Sequence, residues 1–219
     1  ELRLLAHIAG DETMINAFLS GEDIHASTAS AVFGVPLSEV TPELRKRAKA
    51  VNFGIVYGIG DYSLSVDLGI TKKQAGEYIA NYLARFHAID SYLKDTVRMA
   101  YDHGFVETIF GRRRYIPELK ASNKMMRSFG ERVAMNSPIQ GSAADIIKIA
   151  MVNTRNALAA ANIDARLILQ VHDELVVEAA RSCADEAAMI LRREMENAVS
   201  LSVPLSVDLT VGDTWYENK

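Results

Sequence analysis

Two adjacent carboxylates, Asp173 and Glu174, follow His172 between the apolar β-formers Leu167-Ile168-Leu169-Gln170-Val171 and Leu175-Val176-Val177. The pattern predicts a hairpin with all three residues at its tip. Neighbouring carboxylates in a tight turn repel unless something positive neutralises them. A hard divalent cation does so with oxygen ligands and retained waters, as Mg²⁺ prefers. Two such ions can hold the attacking and leaving oxygens of a phosphoryl transfer. A polar turn is also the ordinary end of a hairpin; the apolar strands behind this one favour function, because they would hold the carboxylates rigidly.

A second constellation is Arg45, Lys49, Phe53 and Tyr57, with Gly54 and Gly58 beside the last two. Residues four apart advance about 40° around a helix, so the four span about 120° and rise about 18 Å, the reach of a nucleoside triphosphate. Arginine offers phosphate a bidentate fork and lysine a point charge. An amphipathic core helix with basic residues near its start has the same spacing. The third set, Arg132, Asn136 and Gln140, is again four apart and suits minor-groove acceptors and sugars; spacing alone favours plain helix-surface polarity.

The elements that must position these residues are mostly helices. Residues 1–20 read as one helix closed by Gly21, and a second runs from Asp23 to Gly34. Thr41, Pro42 and Glu43 mark the start of a helix that reaches about Tyr57. Thr71 caps a helix over 72–86, and another covers 89–103. Short strands are expected at 105–109 and 114–116 around a Gly111 turn. Helix returns over 123–135, is broken or kinked by Pro138 and Gly141, and resumes to about Ala160. After the hairpin come a helix over 184–199 and a last strand over 205–211. The fold class expected is α+β.

Composition is that of a globular chain, with 49% hydrophobic and 24% charged residues among 219. No apolar run reaches the roughly 20 residues of a membrane helix, and no signal peptide is visible. A single cysteine, Cys183, leaves no intramolecular disulfide and suits a reducing cytoplasm. The net charge of −4 argues against nucleic acid until its distribution is considered. Residues 111–132 hold seven basic groups against two acidic ones, a net +5 that leaves −9 for the rest. Glu1 leads directly into an apolar helical pattern, so the chain is expected to be part of something longer.

Together the constellations resemble the bacterial-type family A DNA polymerases. The string Arg45-Lys46-Arg47-Ala48-Lys49-Ala50-Val51-Asn52-Phe53-Gly54-Ile55-Val56-Tyr57-Gly58 is similar to their fingers-helix motif, Arg-x3-Lys-x3-Phe-Gly-x2-Tyr-Gly. Gln170-Val171-His172-Asp173-Glu174-Leu175 resembles their palm hairpin, and Asn136 to Lys148 the stretch between. The order and spacing match over essentially the whole chain.

The resemblance implies a helical fingers section over 1–164, with Glu1 at the palm junction, and the C-terminal part of the palm's antiparallel sheet over 165–219. Thumb, remaining palm and exonuclease domains would lie upstream. It implies that Arg45, Lys49 and His25 bind the triphosphate of a dNTP, with Lys49 also giving a proton to the pyrophosphate. Phe53 would pack on the deoxyribose, Tyr57 order the templating site, and Glu1 exclude a ribose 2′-hydroxyl. Arg132, Asn136, Gln140 and His172 would follow the minor groove of primer–template DNA. Asp173, with Glu174 as a weaker neighbour, would bind two Mg²⁺ ions. A monomer in the bacterial cytoplasm is expected.

One departure stands out. The family's other essential metal ligand is an aspartate five residues before the glutamate matched by Glu1, and only Glu1-Leu2-Arg3 of that motif is present. Residues 1–219 alone are therefore expected not to polymerise. The competing readings are a primer–template-binding module without catalysis and, suggested by His172-Asp173, a His-Asp metal phosphohydrolase; for the latter, His7, His25, His87 and His103 lack the spacing of further ligands.

Overall fold

Where the sequence predicts one helix over 1–20, the computed structural model, which describes residues 1–218, has two. Helix α1 (Leu2–Ala9) stops at Gly10, whose φ of +63° is left-handed, and α2 (Glu12–Leu19) restarts after Asp11. One oxygen of the buried Asp11 carboxylate accepts the Met14 N–H at 2.9 Å and caps α2. The other accepts the Ala88 N–H at 3.2 Å, so a single side chain satisfies helix-end donors in two elements.

Helix α3 (Ile24–Phe33) follows, capped by Asp23 and closed by Gly34. Helix α4 (Pro42–Val56) starts as its sequence predicts, with Thr41 Oγ1 accepting the Leu44 N–H. Helix α5 (Asp61–Leu68) is unanticipated: it buries only Leu64 and Ser65 and leaves Tyr62 and Val66 exposed, so no apolar periodicity announces it. Helix α6 (Lys72–Arg85) opens on a reciprocal Thr71–Gln74 capping box, and α7 (His87–His103) follows at once. Leu5, Met14, Val32, Val51, Val56, Leu64, Tyr82, Phe86 and Ile89 are fully buried within this section. Each removes roughly 1.5–3 kcal/mol worth of apolar surface from water.

Strands β1 (Phe105–Glu107) and β2 (Arg113–Tyr115) form a two-stranded antiparallel sheet in the register Val106↔Arg114. Strand β1 is shorter than predicted because Thr108 Oγ1 accepts the Phe110 and Arg112 N–H groups and turns the chain early, while β2 keeps its predicted length but starts one residue sooner. Helix α8 (Lys124–Ala161) then runs for 38 residues as one helix through Pro138 and Gly141, without the break that is one of the two outcomes expected there. A proline inside a helix costs about 3 kcal/mol. Here hydroxyls supply local bonds around it: Ser137 Oγ donates to the Val133 carbonyl and Ser142 Oγ to that of Pro138. Ser142 Oγ also accepts the Ile109 N–H at 3.0 Å, tying the β1–β2 turn to the helix.

The chain divides into two compact units, residues 1–142 and from Ala143 onward, the boundary lying within α8. The second unit contains β3 (Ala165–Val171) and β4 (Glu174–Ala179), antiparallel with a bulge between Leu167 and Leu169, and α9 (Ala184–Glu196). Leu158, Ala187 and Ile190 form its core, with Val177 and Ala179 packed against them. Helix α9 ends at Glu196 rather than 199. The strand predicted over 205–211 does not form. Leu205, Val207 and Leu209 are half-buried while Ser206, Asp208 and Thr210 are exposed, so the alternation is real, but the segment joins neither sheet of the described residues. No helix of the described residues is long and apolar enough to cross a membrane.

Gly58 marks a close approach inside the first unit. Its φ is +66°, and a Cβ there would lie 2.5 Å from Met135 Cε and 3.1 Å from Arg132 Cγ of α8. Gly58→Ala is expected to destabilise by about 2–4 kcal/mol through the left-handed backbone and overpacking, a Tm loss of roughly 5–15 °C. Gly60→Ala, where φ is −88° and nothing lies within 4 Å of the new methyl, should change little. Equal losses in the two variants would contradict the account.

Candidate nucleotide and metal site

The buried side of α4 carries Ala48, Val51, Asn52, Ile55 and Val56. This forces Arg45, Lys49 and Tyr57 outward, with Phe53 half-buried between them, as one solvent-facing stripe. Lys49 Nζ stands 5.9 Å from the Phe53 ring centroid. The His25 ring, carried by α3, lies 6.0 Å from that same ring at 41°. His25, Lys49 and Phe53 are therefore neighbours, although 24 residues separate the first two in sequence.

Arg45 is held by Asp23, its Nε donating to Oδ2 at 2.5 Å. The other Asp23 oxygen accepts the His25 and Ala26 N–H groups at 3.0 and 3.1 Å. Burial pushes this carboxyl up, but the Arg45 guanidinium and the two amides outweigh it and hold it below the usual carboxylate range.

Beneath His25, the fully buried Asn52 places Nδ2 3.0 Å from His25 Nδ1, and Asn52 Oδ1 accepts the Thr28 hydroxyl at 3.2 Å. Burial, then the Arg45 charge, lowers the imidazole pKa; Asp23 opposes the shift and Lys49 adds to it. Because the folded value lies below the unfolded value of about 6.5, the neutral ring stabilises the fold above that pH, and the contribution is lost as pH falls below it through the folded value. An NMR titration should place the His25 midpoint below that of a free imidazole, and Arg45→Ala should raise it. An unmoved midpoint in that variant would exclude Arg45 as a cause.

At the far end of the stripe, Tyr57 Oη donates to Glu1 Oε2 at 3.1 Å. Burial and the Glu1 carboxylate raise the phenol pKa, while a hydrogen bond with Gln140 lowers it. Three residues predicted on separate grounds thus meet in one place: Glu1 before α1, Tyr57 at the end of α4 and Gln140 on α8. Arg132 packs beside Gly58, its guanidinium 6.0 Å from the Phe129 ring. Asn136 buries its Oδ1 without a hydrogen-bond partner among the described residues, an unsatisfied acceptor.

The hairpin belongs to the second unit, and its turn is tighter than predicted. Val171 pairs with Glu174, so only His172 and Asp173 form the tip, and Glu174 opens β4. His172 adopts φ +51°, as the first residue of a two-residue hairpin turn requires. Gln170 Nε2 donates to the His172 carbonyl at 2.5 Å. Glu174 Oε2 accepts the Trp215 indole N–H at 3.3 Å. Asp173 and Glu174 are exposed, and no basic side chain pairs with either among the described residues. The Asp173 carboxylate on the turn, with that of Glu174 at the start of the next strand, fits a hard divalent cation. Among the described residues there is no group of three or more potential metal ligands.

Sequence reasoning missed Asn52, Thr28 and the Asp23–Arg45 pair. The available signal was Asn52 itself, a polar residue on the apolar side of α4 between Val51 and Ile55.

Comparison with known proteins bears on what this arrangement serves. Residues 1–217 match the family model described as DNA polymerase family A. The chain is 53% identical over 219 residues to the DNA polymerase I of Caldicellulosiruptor bescii and 52% identical to that of Bacillus subtilis. All of this chain is covered in both cases, and 26% and 25% of those proteins, so it spans about a quarter of their length. A solved structure of the POL domain of Pol1 from M. smegmatis, in complex with DNA primer-template and dNTP, is similar with a TM-score of 0.90 and 45% identity. That likeness covers 94% of this chain and 36% of the solved one.

Proposed function

The chain belongs to DNA polymerase family A, and from that premise we propose that it serves templated DNA synthesis, the transfer of a nucleotide from a dNTP to a primer 3′-hydroxyl. The observation that carries the reading is the exposed stripe of α4. Arg45, Lys49, Phe53 and Tyr57 stand in the order that phosphates, sugar and base would need, and His25 is brought against the middle of it. Family membership favours this reading over a metal phosphohydrolase. Residues 1–164 then act as fingers and 165–219 as the C-terminal part of the palm, in a monomeric enzyme of the bacterial cytoplasm.

In this mechanism Arg45 and His25 hold the triphosphate by charge and hydrogen bonding, and the Phe53 ring supports the deoxyribose. The Glu1 carboxylate, positioned by Tyr57, crowds the place of a ribose 2′-hydroxyl. The primer 3′-hydroxyl gives up its proton to solvent as its oxygen attacks the α-phosphorus, the new P–O bond forms as the bond to the β-phosphate oxygen breaks, and Lys49 gives a proton to the departing pyrophosphate. Arg132, Asn136, Gln140 and His172 meet the minor groove of the primer–template, where acceptors are nearly sequence-independent. Asp173, with Glu174 as the weaker ligand, would hold two Mg²⁺ ions, which stabilise charge on the transferring phosphoryl group when bound. Closure of α4 over a correct base pair would couple pairing geometry to assembly of the site.

A polypeptide of residues 1–219 presents Asp173 and Glu174 without the aspartate that the family places before Glu1. On its own it should bind primer–template with a steep salt dependence and add no nucleotide. The test of the function is single-nucleotide extension of a labelled primer with Mg²⁺ by the polymerising enzyme that contains this sequence. Addition of only the template-complementary dNTP supports it; addition without regard to template, or phosphomonoester hydrolysis dependent on His172, overturns it.

A further inference from the structure

The contact between His25 and Asn52 goes beyond the role proposed for either α3 or α4. Asn52 is fully buried, and both of its amide atoms are used: Oδ1 accepts from Thr28 Oγ1 and Nδ2 lies 3.0 Å from His25 Nδ1. A carboxamide nitrogen only donates. The Nδ1 atom facing it must then accept, which requires the ring proton to sit on Nε2. A proton on Nδ1 would set two N–H groups against each other. Turning the amide would relieve that only if Thr28 Oγ1, which donates to Asn52 Oδ1 here, accepted from Nδ2 instead and gave its own proton to another acceptor. The opposite ring atom, Nε2, has no hydrogen-bond partner among the described residues.

We propose that Asn52 is a positioning residue that holds His25 as the tautomer protonated on Nε2, so that this N–H is presented to an oxygen of the incoming triphosphate. The proposal rests on the reading of His25 as a phosphate ligand. It gives α4 two parts in one site: Arg45 and Lys49 contribute charge from its exposed face, and Asn52 sets a neutral donor from its buried face. The groups facing the imidazole are Asp23, before α3, and Arg45 and Lys49 on α4, with the Phe53 ring alongside. Two cations against one carboxylate favour an uncharged ring, in accord with its lowered pKa. Such second-layer hydrogen bonds to histidine commonly select the tautomer.

The direct test is the ¹⁵N pattern of the His25 imidazole in the whole chain above its titration midpoint, which needs no variant. Protonated Nε2 with unprotonated Nδ1 is expected; the reverse tautomer, or a fast mixture, would overturn the proposal. Activity supplies an independent reading in the polymerising enzyme. His25→Ala and Asn52→Ala should each raise KM for dNTP by about tenfold, the size of one net hydrogen bond, with a smaller change in kcat. The double variant should be no worse than His25→Ala alone. Thr28→Val keeps the shape of its site and removes the hydroxyl that orients the Asn52 amide. It should shift the tautomer balance even if Asn52→Ala proves too unstable to study. Additive losses would sink the coupling. No effect of His25→Ala on KM would instead remove the phosphate role of His25, leaving the tautomer result to stand by itself.

Discussion

Asp173→Ala in the polymerising enzyme is expected to slow templated nucleotide addition by about a thousandfold or more, since metal stabilisation of transition-state charge supplies several kcal/mol and each 1.36 kcal/mol is a factor of ten. The side chain stands exposed on a two-residue turn between paired strands, with no ion pair to compete for it among the described residues. Replacing it removes the proposed metal ligand and leaves the hairpin its bonds, including the one from Gln170 to the His172 carbonyl. Primer–template affinity should therefore move little, because duplex binding draws mainly on contacts to many phosphates. Glu174→Ala should cost less, since its carboxylate is shared with the Trp215 indole. Pre-steady-state addition rates with saturating Mg²⁺ decide the matter. A rate within tenfold of the parent's would remove Asp173 from the metal site.

Lys49→Ala should reduce kcat by about a hundred- to ten-thousandfold, the usual worth of a positioned proton donor. Lys49 is exposed on α4, with its Nζ near the Phe53 ring and no ion-pair partner among the described residues. Losing one cation of several should change primer–template binding only slightly and lower its salt slope by at most about one. Lys49→Arg separates the two roles: it keeps the charge, but its guanidinium does not release a proton in a protein. KM for dNTP should be largely retained in that variant while kcat stays low. Full recovery by arginine would make Lys49 a phosphate ligand only, and comparable losses in binding and addition would count against both roles.

Much of this molecule is visible in the chain before it folds. The starts of α3, α4 and α6 are written as caps at Asp23, Thr41 and Thr71, whose oxygens accept first-turn N–H groups by geometry local to a few residues. The stripe from Arg45 to Tyr57 faces solvent for a similarly local reason, the apolar residues interleaved with it. The β3–β4 hairpin follows from two β-forming runs separated by a short polar turn.

Other features depend on partners distant in sequence. Near Pro138, α8 is tied to the β1–β2 turn by the Ile109 N–H to Ser142 Oγ bond, between residues 33 positions apart, which no local rule foretells. Residues 205–211 alternate as a strand would, but a strand exists only through a ladder partner. Helix α5 carries too little buried surface to reveal itself. The meeting of Glu1, Tyr57 and Gln140, and the Thr28–Asn52–His25 chain, join residues 24 or more positions apart, and packing alone brings them together. Sequence determined which side chains could do the chemistry and which helix faces carry them, because capping and periodicity act within a few residues. Tertiary structure decided which of them touch, and so how each is oriented and charged, because burial and hydrogen bonding across elements exist only once the elements pack.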